Sequence, residues 1–121
     1  MIAGIGVDMI EIARVVRACE RGHFLQRIFS EREIAQMDAK RRRAASDFAG
    51  KEAVVKALGT GFTGIEAGEI EILRREDGSP YVVLHGGAAK KAEELGICDW
   101  KISITNTKDL VTAFVVAGDG A

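Results

Sequence analysis

Hydrophobic and polar residues alternate near both ends of the chain. At the N-terminus the alternation continues to Met9, with apolar side chains on one face and Gly4, Gly6 and Asp8 on the other. Residues 101–105 alternate in the same way, and residues 111–117 are apolar almost throughout. A period of two predicts half-buried strands, and a continuous apolar run predicts a central strand. We therefore expect strands at 2–7, 101–105 and 111–117, with the last one at the centre of a sheet.

The middle of the chain carries helix boundaries and one hairpin pattern. Ser30 followed by Glu33 is a capping box, which predicts a short helix over 31–39. Other helices are expected over 11–21, 43–58 and 87–95, the last two ended by Gly59 and Gly96. An Asp-Gly dipeptide at 77–78 separates strand-like segments at 69–75 and 80–84, as in a β-hairpin. Together these elements predict an α+β domain, with helices packed on one side of a mainly antiparallel sheet.

Composition narrows the class of protein. The chain has 121 residues, of which 47% are hydrophobic, and a formal net charge of −1. This length fits one domain spanning residues 1–121, and the near-neutral charge argues against binding to nucleic acid. Because the chain has no long apolar run and no secretory pattern, we expect a cytoplasmic protein that does not bind membranes. The two cysteines are far from each other in sequence, and so are the two histidines. This spacing predicts neither a disulfide nor a zinc site.

The first candidate for chemistry is a charged pair in the predicted central helix. Glu52 and Lys56 lie one turn apart in Phe48-Ala-Gly-Lys-Glu-Ala-Val-Val-Lys-Ala-Leu-Gly-Thr-Gly61. On a helix Glu52 falls within a largely apolar arc, where a carboxylate is costly unless a cation compensates it. Lys56 is one candidate cation, and a divalent metal is another. The alternative is an ordinary Glu–Lys pair on a helix surface.

A second acid, Asp8, lies on the glycine-bearing face of the first strand. The two glycines beside it leave space for another backbone, a metal or a phosphate to approach closely. Alternatively, Asp8 ends the strand and caps the following helix, because Glu11 stands three residues later. Asp8 and Glu52 together would supply two hard oxygen ligands of the kind that Mg²⁺ prefers.

Three segments resemble the holo-[acyl-carrier-protein] synthase family, the small bacterial 4′-phosphopantetheinyl transferases. They are Gly-Ile-Gly-Val-Asp8, the segment ending at Gly61 quoted above, and Ile102-Ser-Ile-Thr-Asn-Thr-Lys-Asp109. Their order and spacing match the family across essentially the whole chain. The resemblance implies the family's α+β fold and transfer of 4′-phosphopantetheine from coenzyme A to a serine of apo-acyl carrier protein. It further implies release of adenosine 3′,5′-bisphosphate, a need for Mg²⁺ and a role in fatty acid biosynthesis.

The resemblance also implies roles for individual residues. Asp8 and Glu52 would hold Mg²⁺, and Lys56 would offset phosphate charge, so that all three are catalytic. Glu52 would take the serine proton, either directly or through a metal-bound water. Contacts to coenzyme A are implied for Arg41, Arg42, Lys56, Gly59, Pro80 and Asn106. Many relatives carry His at position 106, but an amide cannot act as an acid or base near neutral pH, so Asn106 is expected to tune binding.

Basic residues recur on the first predicted helix. Arg14, Arg17 and Arg21 form a stripe at i, i+3 and i+7, which in an arbitrary protein would be a solvated surface. The resemblance makes this region the docking surface for the acidic helix of acyl carrier protein. The implied contacts are Arg14, Arg17, Arg21, Phe24 and Arg27.

The resemblance implies a homotrimer with active sites between subunits. A second interpretation is a non-catalytic homologue that binds coenzyme A or a carrier protein. Asp8, Glu52 and Lys56 occur together, which favours catalysis, because simple binding does not need this set.

Overall fold

The computed structural model describes residues 1–121, and its elements follow the predicted order. They are β1 (Ile2–Glu11), α1 (Ile12–Cys19), α2 (Phe24–Ile28), α3 (Glu31–Ala35), α4 (Arg42–Leu58), a 3₁₀ turn (Ala67–Glu69), β2 (Ile70–Arg74), β3 (Pro80–Leu84), α5 (Gly86–Glu94), β4 (Asp99–Asn106) and β5 (Leu110–Gly118). The predicted α+β class is confirmed. No helix combines the length and apolar character that a membrane span requires.

The strands form two antiparallel sheets. One contains three strands in the order β1-β5-β4, and the other is the β2-β3 hairpin. The prediction that the last strand is central is confirmed, because β5 pairs on both sides. Its inward residues are fully buried; they are Val111, Ala113, Val115 and Ala117. No backbone ladder joins β3 to β4, so the predicted sheet is divided into two.

Several boundaries differ from the sequence-based expectation. The first strand continues to Glu11, so Asp8 lies inside β1 and the prediction that it ends the strand or caps a helix is wrong. α1 ends at Cys19, and α3 ends at Ala35 although its capping box is present. α2 was not predicted, because its five residues are too few for a helical period to emerge. α4 ends at Leu58 as predicted, and Gly59 follows it in the left-handed conformation at φ 77°.

Helix α4 is the centre of the domain. It packs across β1 and β5 on one side of the three-stranded sheet and also contacts β2. Gly4 and Gly6 of β1 lie so close to the carbonyl oxygens of Ala57 and Ala53 that neither glycine has room for a Cβ. The space left by the glycines is therefore used by another backbone. This close approach carries Asp8, which shares their face of β1, to the second half of α4.

The opposite face of the three-stranded sheet carries exposed apolar side chains. The exposed fractions of Ile5, Val7 and Met9 on β1 are 61%, 50% and 63%, and that of Phe114 on β5 is 44%. Val7 and Phe114 are directly paired across the two strands. These residues form a contiguous patch, here called the open sheet face. A patch of this kind on a small domain is typical of a contact surface.

Candidate active site

Asp8 and Lys56 meet where β1 crosses α4. Lys56 Nζ lies 3.2 Å from Asp8 Oδ1 and donates a hydrogen bond to the Val7 carbonyl at 3.0 Å. Glu52 forms no ion pair, although it stands one turn before Lys56 on the same helix. The alternative of an ordinary Glu–Lys pair is therefore wrong. The close approach of β1 brings a different carboxylate within reach of the lysine.

The two carboxylates lack enough positive charge around them. Asp8 Oδ2 is buried and has no hydrogen-bond partner. Burial raises the pKa of Glu52, the nearby Asp8 charge raises it further, and Lys56 opposes both effects. A buried, unpartnered carboxylate oxygen beside a second carboxylate is unfavourable unless a cation approaches.

This donor set fits a magnesium ion. Mg²⁺ is commonly held by one or two carboxylates, while waters and substrate phosphates complete its shell. No group of three or more His, Cys, Asp or Glu side chains is arranged to hold a metal. Asp8 and Glu52 could therefore bind Mg²⁺ only together with ligands from outside the chain.

Glu52 opens into a cleft of about 440 Å³. The other residues of its mostly apolar lining are Arg27, Ile28, Phe48, Phe62, Ile65, Glu66 and Ala67. Phe48 also lines a smaller cleft of about 220 Å³, which it shares with Arg14 and Phe24. Three predicted carrier contacts, Arg14, Phe24 and Arg27, thus line two clefts that share Phe48, one of which contains Glu52.

The predicted basic stripe is shorter than the sequence indicated. Arg14 and Arg17 are exposed on α1, but Arg21 follows the end of the helix. The chain turns there through Gly22, whose φ is +51°, so the prediction of three arginines on one helix face is wrong. Phe24 is half-buried and packs against Phe48, with ring centroids 6.3 Å apart.

The predicted coenzyme A contacts fall into separate groups within one chain. Arg41 and Arg42 lie at the beginning of α4, and Arg42 is roughly 21 Å from Lys56 along the helix axis. Asn106 ends β4 and lines a cleft of about 290 Å³ together with Arg42. Gly59 lies at the other end of α4, near Lys56. Pro80 begins β3, in the separate two-stranded sheet.

The largest cavity, of about 850 Å³, lies at a distance from the carboxylates. Lys40, Arg42 and Lys108 contribute to its lining, but Asp8, Glu52 and Lys56 do not. The candidate active site is therefore identified by its charges and not by the volume of its cleft.

Sequence reasoning missed the charged residues buried behind the site. Lys51 and Glu33 are fully buried and form an ion pair at 2.7 Å. Asp47 is also buried; Arg74 Nη1 lies 2.9 Å from its Oδ1, in a geometry that makes no hydrogen bond. Burial raises the pKa of Asp47 to about 7. The pattern held a clue, because Lys51 shares a helix face with Val54.

Comparisons with known proteins identify the family of this chain. Residues 4–115 match the family model of the 4′-phosphopantetheinyl transferase superfamily. The holo-[acyl-carrier-protein] synthase of Lachnoclostridium phytofermentans is 54% identical, covering 96% of this chain and 95% of the relative. The crystal structure of the Neisseria meningitidis synthase has a TM-score of 0.87 and 34% identity, covering 98% of this chain and 99% of its own.

A further solved relative contains a ligand. The Helicobacter pylori holo-[acyl-carrier-protein] synthase in complex with coenzyme A has a TM-score of 0.81 and 30% identity, covering 94% of this chain and 99% of its own. Sequence and fold agree over nearly the full length of these proteins, and the chain belongs to the 4′-phosphopantetheinyl transferase superfamily.

Proposed function

We propose that this protein transfers 4′-phosphopantetheine from coenzyme A to a serine of apo-acyl carrier protein. The products are holo-acyl carrier protein and adenosine 3′,5′-bisphosphate. The observation that carries the proposal is the meeting of Asp8, Glu52 and Lys56 beside an open cleft. Relatives named holo-[acyl-carrier-protein] synthase, one of them in complex with coenzyme A, support it. We place the reaction in the cytoplasm, in fatty acid biosynthesis.

Glu52 and Lys56 have different roles in the transfer. The serine oxygen forms a bond to the β-phosphorus of coenzyme A, and the bond from that phosphorus to the bridging oxygen breaks. The serine proton passes to Glu52, the carboxylate that lies within the open cleft. The Lys56 ammonium, which is 54% exposed beside Asp8, offsets negative charge on the departing phosphate.

Asp8 and Glu52 are the residues that would hold Mg²⁺. The ion, when bound, supplies positive charge to the pyrophosphate. Two observations support this assignment: Asp8 Oδ2 has no partner, and burial together with the Asp8 charge raises the pKa of Glu52, so that a cation would be favourable beside both carboxylates.

Acyl carrier protein would dock over α1 and α2. Arg27 lines the cleft that contains Glu52, Arg14 lines the neighbouring cleft, and Arg17 is exposed on the same helix as Arg14. Phe24 offers apolar surface between them. An acidic helix placed there would bring its serine to the carboxylate, and charge complementarity would mainly speed the encounter.

Assembly into a homotrimer, with active sites between subunits, would complete the site. The open sheet face supports association, because its apolar side chains would otherwise stay in water. The separation of Arg42 from Lys56 supports shared sites, because a neighbouring subunit could bring its own basic helix end to the nucleotide. Light scattering coupled to size exclusion tests this, and a monomer that is fully active would contradict it.

Mass spectrometry tests the proposed reaction directly. Apo-acyl carrier protein incubated with the enzyme, coenzyme A and Mg²⁺ should gain the mass of one phosphopantetheine group. Asp8→Ala and Glu52→Ala should each abolish most of this transfer while the protein stays folded. If the unmodified chain gives no mass gain but binds coenzyme A or the carrier, it is a non-catalytic homologue.

A further inference from the structure

Lys51 is a fully buried cation with every donor occupied. Its Nζ donates to Glu33 Oε1 at 2.7 Å and to the Ala67 carbonyl at 2.9 Å, and it also donates to the Ile70 carbonyl. An ammonium has three N–H donors, so these three acceptors satisfy it completely. Two of the three are main-chain oxygens of a segment far from Lys51 in sequence.

Glu33 makes this burial possible. It is itself fully buried, and its Oε1 also accepts a hydrogen bond from Ser30 N at 3.0 Å. Its Oε2 accepts one from Ile72 N, also at 3.0 Å. The pair therefore joins the start of α3, the middle of α4 and the start of β2. Removing one partner alone would leave a buried charge without compensation.

One of the two residues whose carbonyls Lys51 holds, Ala67, lines the cleft that contains Glu52, and the other, Ile70, follows three residues later. The Ala67 carbonyl begins the 3₁₀ turn, and the Ile70 carbonyl follows it. Ala67 and the residues just before it, including Phe62 and Ile65, line the cleft that contains Glu52. Lys51 and Glu52 are consecutive in α4, so one side chain fixes the wall and the other enters the space in front of it.

We propose that Lys51 is a positioning residue, which holds the segment 62–70 at the distance from Glu52 that turnover requires. Its hydrogen bonds to the carbonyls of Ala67 and Ile70 are the means, and Glu33 supplies the compensating charge. The proposal rests on the proposed transferase function for its kinetic consequence. It predicts an effect on kcat more than on the KM for coenzyme A, because Arg42 and Asn106, two of the proposed nucleotide contacts, lie at the beginning of α4, away from the segment that Lys51 holds.

A matched pair of variants separates positioning from general stability. Glu33→Gln removes the negative charge but keeps Lys51 and its two carbonyl contacts. The double variant Glu33→Gln/Lys51→Met also removes those contacts, but it leaves no buried charge behind. We therefore expect the double variant to have a melting temperature equal to or above that of Glu33→Gln. Its kcat should nevertheless be about a hundredfold lower, the scale of a misplacement near 1 Å.

Hydrogen–deuterium exchange supplies a readout that does not depend on activity. Amides of residues 62–69 should exchange at least about tenfold faster in the double variant than in Glu33→Gln, because the segment loses its anchor. Unchanged exchange would show that Lys51 does not hold the segment. Faster exchange with an unchanged kcat would overturn the catalytic role. If the unmodified chain transfers nothing, the proposed function fails by itself, and exchange alone decides whether Lys51 anchors the wall.

Discussion

The Cα atom of Gly6 packs directly against the carbonyl oxygen of Ala53, with no space for a Cβ between them. This contact determines how closely β1 can approach α4. Because Asp8 follows on the same face of β1, it also determines the distance from Asp8 to Lys56 and Glu52. A backbone contact inside the core therefore sets the geometry of the candidate active site.

Substituting Gly6 by alanine should separate the strand from the helix. The added methyl group must displace main-chain atoms of α4, which should lower the free energy of unfolding by about 1–3 kcal/mol. Transferase activity should fall by more than the loss of folded protein explains, because Asp8 moves away from α4. Urea denaturation and an activity assay measure both effects. Gly68→Ala is the control, since its Cβ would lie 3.7 Å from the Arg27 carbonyl oxygen; equal stability of the two variants would contradict the prediction.

Substituting Glu52 by glutamine should remove activity without lowering stability. The folded state holds the Glu52 proton more tightly than the unfolded state, because burial and Asp8 raise the pKa. As pH rises above the ordinary pKa of a glutamate, Glu52 therefore lowers the free energy of unfolding. This loss grows until pH passes the raised pKa of the folded state. In EDTA at pH 7, Glu52→Gln should be at least as stable as the wild type by urea denaturation.

Added Mg²⁺ provides the second part of that test. It should raise the melting temperature of the wild type but not that of Glu52→Gln, since the variant lacks one of the two carboxylates. A glutamine variant that is less stable in EDTA, or that is stabilised equally by Mg²⁺, would show that the metal assignment is wrong.

Reversing the charge of Arg14 should affect one substrate only. Arg14→Glu places a negative charge at the rim of the cleft that Phe24 and Phe48 share, so the KM for acyl carrier protein should rise about tenfold or more. The KM for coenzyme A should stay near the wild-type value, and added salt should weaken carrier binding by the wild type in the same way. Lys90→Glu on α5 is the control for a general change in charge. Equal increases for both substrates would refute the docking surface.

Replacing Lys56 by alanine should lower activity more than replacing Asn106 by alanine. Asn106→Ala would remove about one hydrogen bond to a charged group, about 1.5–3 kcal/mol, or roughly ten- to a hundredfold in kcat/KM for coenzyme A. Lys56→Ala should cost more, because it removes a full charge beside the reacting phosphate. Asn106→His should be tolerated. A larger loss in Asn106→Ala than in Lys56→Ala would reverse the proposed order of phosphate contacts.

Sequence patterns predicted the elements better than their arrangement. The apolar run at 111–117 correctly predicted that β5 is the central strand of its sheet. Only one face of β5 is fully buried, however, and Phe114 on the other face belongs to the open sheet face. The five-residue helix α2 carries no period that could be recognised. The end of α1 depends on a turn through Gly22, which a stripe of arginines does not reveal.

The sequence predicted the candidate site where one element places a charged side chain among apolar ones. Glu52, in an apolar arc of α4, is such a residue. The partner of Lys56 was not predictable, because it depends on how closely β1 approaches across the core. The Lys51–Glu33 pair was missed for the same reason, since the acceptors of Lys51 come from two other segments, α3 and residues 67–70.

The central position of α4 has a consequence for how the chain can vary. Arg42, Lys51, Glu52 and Lys56 are fixed to one another by a single rigid helix. Inserting or deleting one residue between Arg42 and Lys56 would rotate everything beyond that point by about 100° and shift it by about 1.5 Å. Lys51 would then leave its buried acceptors, or Lys56 would leave Asp8. Insertions should therefore be tolerated in turns outside α4, such as the β2–β3 turn at Gly78, and excluded from the helix itself.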